Sequence, residues 1–200
     1  MIKKIFFVLA LALISQLIVS CVDCNCLPIK TVYYTNKALL LKNMDFSLAE
    51  PRISNAGIIS GANFGIQIQL QTEMIISYKM QVKWGFMQPA YACSCPEDNF
   101  IAKDNIASLT IFSNNDFDVA HPKNTDLSLY FKAKRNNVMV PITDYIATIN
   151  DQKYGYPNNF YEGIFLQTMP TSNKKHKFKV VITLTDGRIL EAETTEIELN

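Results

Sequence analysis

The residues with the most chemistry to offer in this 200-residue chain are its five cysteines, and their spacing gives them two different jobs. Cys21 follows Lys3, Lys4 and an apolar run from Ile5 to Val19, with Ser20 directly before it. A basic start, a short apolar stretch and a small residue ahead of a cysteine form an export leader ending in a lipobox, where the leader is clipped and the new terminal cysteine acylated. The apolar run is interrupted by Ser15 and Gln16 and falls short of the roughly 20 residues that a membrane-spanning helix needs. Two or more acyl chains, palmitate among them, hold a protein stably at a membrane, since each buried methylene contributes about 0.8 kcal/mol. The expected product hangs from the outer membrane by Cys21, with the leaflet undecided and the body in water.

Cys24, Cys26, Cys93 and Cys95 form two Cys-x-Cys pairs. Exported compartments are oxidising, so disulfides are the expected state. Side chains two apart in an extended segment point the same way. Bridges between the pairs therefore strain the backbone less than bridges within them. Both connectivities, 24–93 with 26–95 and 24–95 with 26–93, stay open. A loop of about 70 residues closed this way is stabilised by roughly 4 kcal/mol and clamps the stem to the body. Reduced thiols remain an alternative. So does a four-thiolate metal site, although zinc ligand pairs usually have two or more intervening residues.

Two further clusters carry functional groups. Asn114, Asn115, Asp116 and Asp118 place four oxygen-bearing side chains within five residues. Ca²⁺ gathers six to eight such oxygens, but Asn and Asp also build turns on their own backbone, and no glycine bend or distant Glu completes a cation loop. A structural turn is expected, with Asn114, Asp116 and Asp118 as the cation alternative. Tyr154, Tyr156, Phe160 and Tyr161 surround Gly155, Pro157, Asn158 and Asn159. Exposed rings of this kind stack on sugars or anchor protein partners, while burial of two of them as core caps is the plainer reading. Trp84, Phe86 and Met87 pose the same choice, with burial favoured.

Catalysis finds little to stand on. His121 precedes Pro122 and His176 sits inside a lysine run, neither beside a nucleophile motif. There is no HExxH, P-loop or dinucleotide glycine fingerprint, and so no cofactor is implied. A distant carboxylate pair, as glycosidases use, leaves no local signature. The chain carries 19 Lys and Arg against 18 Asp and Glu, and the leader removes two of the lysines. That near-neutral balance gives no case for a nucleic-acid partner. The run at 174, 175, 177 and 179 reads as solvated lysines first, and only weakly as a contact to anionic lipid or polysaccharide.

Period-two alternation must position all of this. Phe64, Ile66, Ile68 and Leu70 oppose Gln67, Gln69 and Gln71; Leu127, Leu129 and Phe131 oppose Ser128, Tyr130 and Lys132; Phe178, Val180, Ile182 and Leu184 form a third stripe. Asp186 and Gly187 then predict a two-residue type I′ hairpin into a strand over 188–199. Further strands are expected at 29–35, 38–44, 74–79, 106–113, 138–142 and 161–169, with one helix near 143–150 capped by Thr143. The pattern describes an all-β, antiparallel β-sandwich, divided as leader 1–20, lipid-anchored stem 21–28 and one domain 29–200.

The segment Ala90, Tyr91, Ala92, Cys93, Ser94 and Cys95, followed by 106–113, Asp116, Phe117 and 127–131, resembles a family of Bacteroidetes-type envelope lipoproteins described only as a domain of unknown function. The resemblance implies an immunoglobulin-like sandwich on a lipid anchor and transfers no catalytic residue. After Cys21 the chain reads Val22, Asp23, Cys24 and Asn25, without the acidic run associated with the outer surface in that group. Together these readings predict a non-enzymatic envelope module whose partners are a membrane, through its lipid, and an envelope protein or glycan. The rivals are a subunit of a surface assembly, such as a fimbria or adhesin joined by strand pairing, and a glycan-binding accessory protein.

Overall fold

The computed structural model describes residues 31–48, 50–75, 99–151, 160 and 162–200. The leader, the five cysteines, Trp84, Phe86, Met87, Tyr154, Tyr156 and Tyr161 lie outside the described residues. All the described elements belong, but for two terminal residues, to one compact unit spanning Val32–Ile76 and Phe100–Asn200.

The unit is built mostly of antiparallel sheet. β1 (Thr31–Asp45), β2 (Arg52–Ile53), β4 (Phe64–Ile75), β5 (Asn99–Ala102), β7 (Phe131–Arg135), β8 (Val138–Pro141) and β9 (Ile164–Leu166) make a seven-stranded sheet in the order β2-β1-β4-β9-β7-β8, with β5 also on β1. β6 (Ile106–Ser113), β11 (Phe178–Leu184) and β12 (Ile189–Glu193) form a second sheet, β12-β11-β6. β10 (Lys175–His176), β13 (Ile197–Leu199) and β3 (Ile58–Ile59) form a small third. Its β13–β3 pair is parallel, which departs from the fully antiparallel expectation.

The core lies where the first two sheets face each other. Phe64, Ile66 and Ile68 of β4 are completely buried, as are Phe178, Val180 and Ile182 of β11. Phe178 meets both Phe64, at 5.2 Å between ring centroids, and Phe131 of β7, at 5.6 Å. The helix α1 (Ile142–Asp151) turns Ile142, Tyr145, Ile146 and Ile149 inward at helical spacing and packs on β6, β7 and β8. The Asn150 side chain fastens its last turn to the start of β6, accepting from the Ile106 N–H and donating to the Ile106 carbonyl.

Several expectations need correction. The strands read at 29–35 and 38–44 are one long β1, kept continuous across a bulge between Asn36 and Ala38. Asn36 is buried there, so no solvated break interrupts the strand. Strand β4 likewise runs on to Ile75 where a separate strand from Met74 was expected. Residues 127–131 do not alternate as a strand. Asp126 caps the following N–H and hydroxyl of Ser128, residues Ser128–Tyr130 form a 3₁₀ turn, and Leu129 is turned out to solvent, 95% exposed. Helix α1 begins at Ile142, so Thr143 is already inside it and does not cap it. The segment 188–199 is broken at Thr194, whose buried side chain holds Phe178 N–H, and its last part leaves for the third sheet.

The hairpin turns also changed places. Of Asp186 and Gly187 only the glycine has a positive φ, +87°, and Leu184 pairs with Arg188, so Thr185–Gly187 is a three-residue loop. The type I′ turn belongs to Asn136 and Asn137, φ 48° and 63°, between β7 and β8.

Strand direction sets which loops share an end. At the start of β1, Arg188 donates to Thr35 Oγ1 and the Asn36 carbonyl. At its finish, Asp45 pairs with Phe64, which stacks on Phe178 at the opposite end of β11. The loop after Ser113, beside Phe178, is therefore at the end of the unit remote from the start of β1. Seven residues of β11, about 20 Å, separate the two ends.

Candidate functional site

The remote end gathers a dense set of side-chain hydrogen bonds. The segment 114–126 leaves β6 and is folded on itself by short side chains. Asp116 accepts the Lys123 N–H at 2.8 Å. Asp118 Oδ1 accepts the N–H of Ala120 at 2.8 Å and of His121 at 2.7 Å, and lies 2.8 Å from His121 Nδ1. Tyr130 donates its hydroxyl to Asp118 Oδ2 at 3.2 Å, and its ring meets the His121 ring edge-on at 4.8 Å. Desolvation works to raise the Asp118 pKa, but the bonds from His121, Ala120 and Tyr130 outweigh it and hold the carboxyl below its usual range. The Tyr130 hydroxyl is pushed up, by burial and then by the neighbouring carboxylate.

The same segment is tied to residues 171–177. Asn114 Oδ1 accepts the Lys177 N–H, Asn115 Nδ2 donates to the Lys175 carbonyl, and Asn173 Nδ2 donates to the Asp116 carbonyl. The Phe117 carbonyl receives the N–H groups of Thr171 and Ser172. At the centre His176 is fully buried. Its Nε2 is 2.8 Å from the Asn173 carbonyl, which can only accept, so the proton is on Nε2 and Nδ1 accepts from Ser113 Oγ at 2.8 Å. Its ring lies between Phe117, at 5.5 Å, and Phe178, at 5.6 Å. Burial holds its pKa below the ordinary histidine value.

One oxygen each of Asn114, Asp116 and Asp118 is thus taken up by N–H groups, and Asp118 Oδ2 by the Tyr130 hydroxyl. Asn114, Asp116 and Asp118 do converge on one loop, but as turn-formers. Among the described residues no group of three or more His, Cys, Asp or Glu is placed to hold a metal ion. Phe160 does not belong to a presented aromatic surface. It is 1% exposed, packs on the Tyr145 ring at 5.0 Å and holds a left-handed φ of 62°, so its ring fills the core.

Comparison with known families gives one match. The model of a domain of unknown function, DUF5034, matches residues 36–195. The chain belongs to the DUF5034 family. No curated protein and no solved structure matches it. In this DUF5034 chain the matched span includes every residue of the remote end described above. What the sequence concealed there was the pairing of its histidines, His121 with Asp118 of the turn and His176 with Ser113, 63 positions away. The His121–Asp118 pair was legible in principle from its i, i+3 spacing in a turn-rich segment. His176 was not, because a lysine run reads as exposed while alternation hides one inward position among outward lysines.

The remote end also presents apolar groups to water. Val119, beside Asp118, is 98% exposed, and Leu129, beside Tyr130, is 95% exposed. The Asp118–His121–Tyr130 bonds join the two segments that carry them. Lys123, Lys174 and Lys175 are exposed nearby, and no ion pair engages them among the described residues.

Proposed function

We propose that this DUF5034 protein is a lipid-anchored component of a Bacteroidetes-type outer membrane, in which an immunoglobulin-like β-sandwich serves outside the cytosol as a binding or structural module and not as an enzyme. The observation that carries the reading is the leader: Lys3 and Lys4, an apolar run ending at Val19, then Ser20 and Cys21. The body is compatible with that address. Its two main sheets meet face to face over one apolar core, as a sandwich requires. On this reading Cys24, Cys26, Cys93 and Cys95 close two disulfides in an oxidising compartment.

Exposed edges bear on the assembly reading. β12 is guarded by Glu191 and Glu193, paired with Lys179 at 2.7 Å and Lys177 at 2.6 Å; β8 ends in Pro141; β2 has two residues. Charged, short and proline-bearing edges resist addition of a neighbour's strand. This favours a module that works through its surface over a subunit joined by strand pairing. Burial of Phe160 removes one ring from the glycan reading, whose remaining aromatics are Tyr154, Tyr156 and Tyr161.

The test is acylation. The full chain is produced in a lipoprotein-processing bacterium fed an alkyne analogue of palmitate. The wild type is expected to take up label and enter the detergent phase, while Cys21→Ala takes up none. An unlabelled wild type with its leader intact ends the proposal.

A further inference from the structure

We infer that His176 is an acid-operated latch that holds the two segments of the remote end, 113–121 and 171–177, together while it is neutral and frees them when it is protonated. The inference rests on bonding geometry. Neutral His176 fits its site completely, giving its Nε2 proton to the Asn173 carbonyl and taking the Ser113 hydroxyl proton at Nδ1. Ser113 Oγ is already an acceptor for the Asn115 N–H at 3.2 Å. A second proton on the ring turns Nδ1 into a donor. Ser113 Oγ must then accept twice, and its own hydroxyl proton loses the nitrogen that received it.

The charge has nowhere to be solvated. The ring is fully buried, and its neighbours are Phe117, Phe178, a hydroxyl and one backbone carbonyl. The Phe178 ring stacks on the imidazole and the Phe117 ring is tilted to it, and among the described residues no carboxylate is hydrogen-bonded to it. The charged groups on the surrounding elements are Lys175 and Lys177 on either side of His176, Lys174 in the preceding turn, Asp116 and Asp118 around Phe117, and Glu196 and Glu198 flanking Ile197 on β13. Three of these seven are lysines on the histidine's own segment, and they oppose a further positive charge. Burial lowers the pKa of His176, and the bond to the Asn173 carbonyl works the other way without cancelling it.

What moves on protonation is also set by the bonds. Ser113 and Asn173 are the roots of the two segments, and Phe117, whose ring meets His176, receives the N–H groups of Thr171 and Ser172 at its carbonyl. Loosening that junction frees the turn that carries Val119 and touches the β6–β11 ladder only at its Ser113–Phe178 end, leaving the pairs from Phe112–Lys179 inward in place.

The chain contains only two histidines, which makes the test direct. Full-length protein in neutral detergent is titrated from pH 7.5 to 5, following both imidazoles by NMR, with His121→Asn for assignment. Amide exchange is measured at Asn115, Asn124, Thr171 and Ser172 and corrected for intrinsic rate. These amides are expected to lose protection by up to about tenfold per pH unit below about 6.5, until His176 itself is protonated. Val180 in β11 keeps its protection. In His176→Gln the acid response disappears. Protection unchanged across the range, or a loss that follows the His121 midpoint, overturns the latch; so does an acid response that survives in His176→Gln. Should that variant fail to fold, the wild type decides alone, since the loss of protection must level off where the His176 signal itself titrates.

Discussion

Phe64 and Phe178 stack at an interplanar angle of 28° across the space between two sheets, although 113 residues separate them in the chain. Both are fully buried, and Phe131 closes on Phe178 edge-on. Phe178→Ala therefore opens a cavity that the rigid strands on either side cannot collapse. The expected loss is about 3–5 kcal/mol in urea unfolding. Phe64→Leu, which keeps most of the volume, is expected to cost about 1 kcal/mol. Equal effects from the two would show that this contact is not central to the core.

Gly65 lies on the other face of β4, and Phe165 of β9 lies over it. A Cβ at Gly65 would sit 2.6 Å from two atoms of the Phe165 ring and 3.0 Å from the Ile164 carbonyl oxygen. Gly65→Ala is expected to destabilise the fold by about 1–3 kcal/mol through that overlap. Shortening the ring, as in Gly65→Ala with Phe165→Leu, is expected to recover part of the loss. A double variant no better than the sum of its single changes would argue against the clash.

The β11 stripe was legible because burial on a single face leaves a strict alternation, and the β4 stripe because its apolar residues alternate with Gln even though Gln67 is buried as well. Positions 64, 66, 68 and 70 on β4 and 178, 180, 182 and 184 on β11 all face inward as read. Leu129 shows where that logic fails. It obeys the alternation, yet Asp126 hydrogen-bonds Ser128 and coils the chain through one 3₁₀ turn, which changes the period and sends the leucine outward. Turn chemistry defeated the same logic at Asp186 and Gly187, where the dipeptide marks a hairpin correctly but the loop holds one more residue than a type I′ turn. The remote end was legible only as a turn, since its bonds join residues some 60 positions apart. The long β1 was hidden because a buried Asn and a Lys at the bulge look like a loop.

Asn136 and Asn137 supply a second measurable consequence of turn type. Both hold left-handed φ angles, a conformation that costs non-glycine residues about 1–2 kcal/mol and that Asn bears better than most. Asn137→Gly is expected to raise stability by up to about 1 kcal/mol, and Asn137→Val to lower it by at least as much. Thermal unfolding of the pair checks the sign. A destabilising glycine would mean that the Asn side chain has a bonding role of its own there.

Arg188 joins the hairpin to the far sheet. It donates to Asp104, to Thr35 Oγ1 and to the Asn36 carbonyl, while Thr35 also donates to Asp104 at 2.8 Å. Asp104 is buried, so its removal leaves the Thr35 hydroxyl without its acceptor, while the exposed Arg188 keeps its pair with Asp186. Asp104→Ala is expected to lower the urea midpoint clearly. Lys37→Ala, which breaks the exposed pair with Glu73, should leave it within error. Similar shifts in both variants would remove the distinction between a buried carboxylate and a surface pair.

Asp118 gives a pH dependence that can be separated from that of His176. Burial acts to raise its pKa, the bonds from His121, Ala120 and Tyr130 lower it further than burial raises it, and the folded value ends below the unfolded one. The unfolded chain then binds the extra proton, so the carboxylate's contribution is present above the ordinary carboxylate range near pH 4 and is lost as pH falls through the lower folded value. Asp118→Asn is expected to be less stable than the wild type at pH 6, and the gap should close as acid protonates the wild-type group. Urea unfolding at pH 6, 4 and 2.5 measures it. A gap that stays constant down to pH 2.5 would mean that shape, and not charge, makes Asp118 matter, and the bonds drawn from His121 and Tyr130 would then carry no pH-dependent share of the loop's stability.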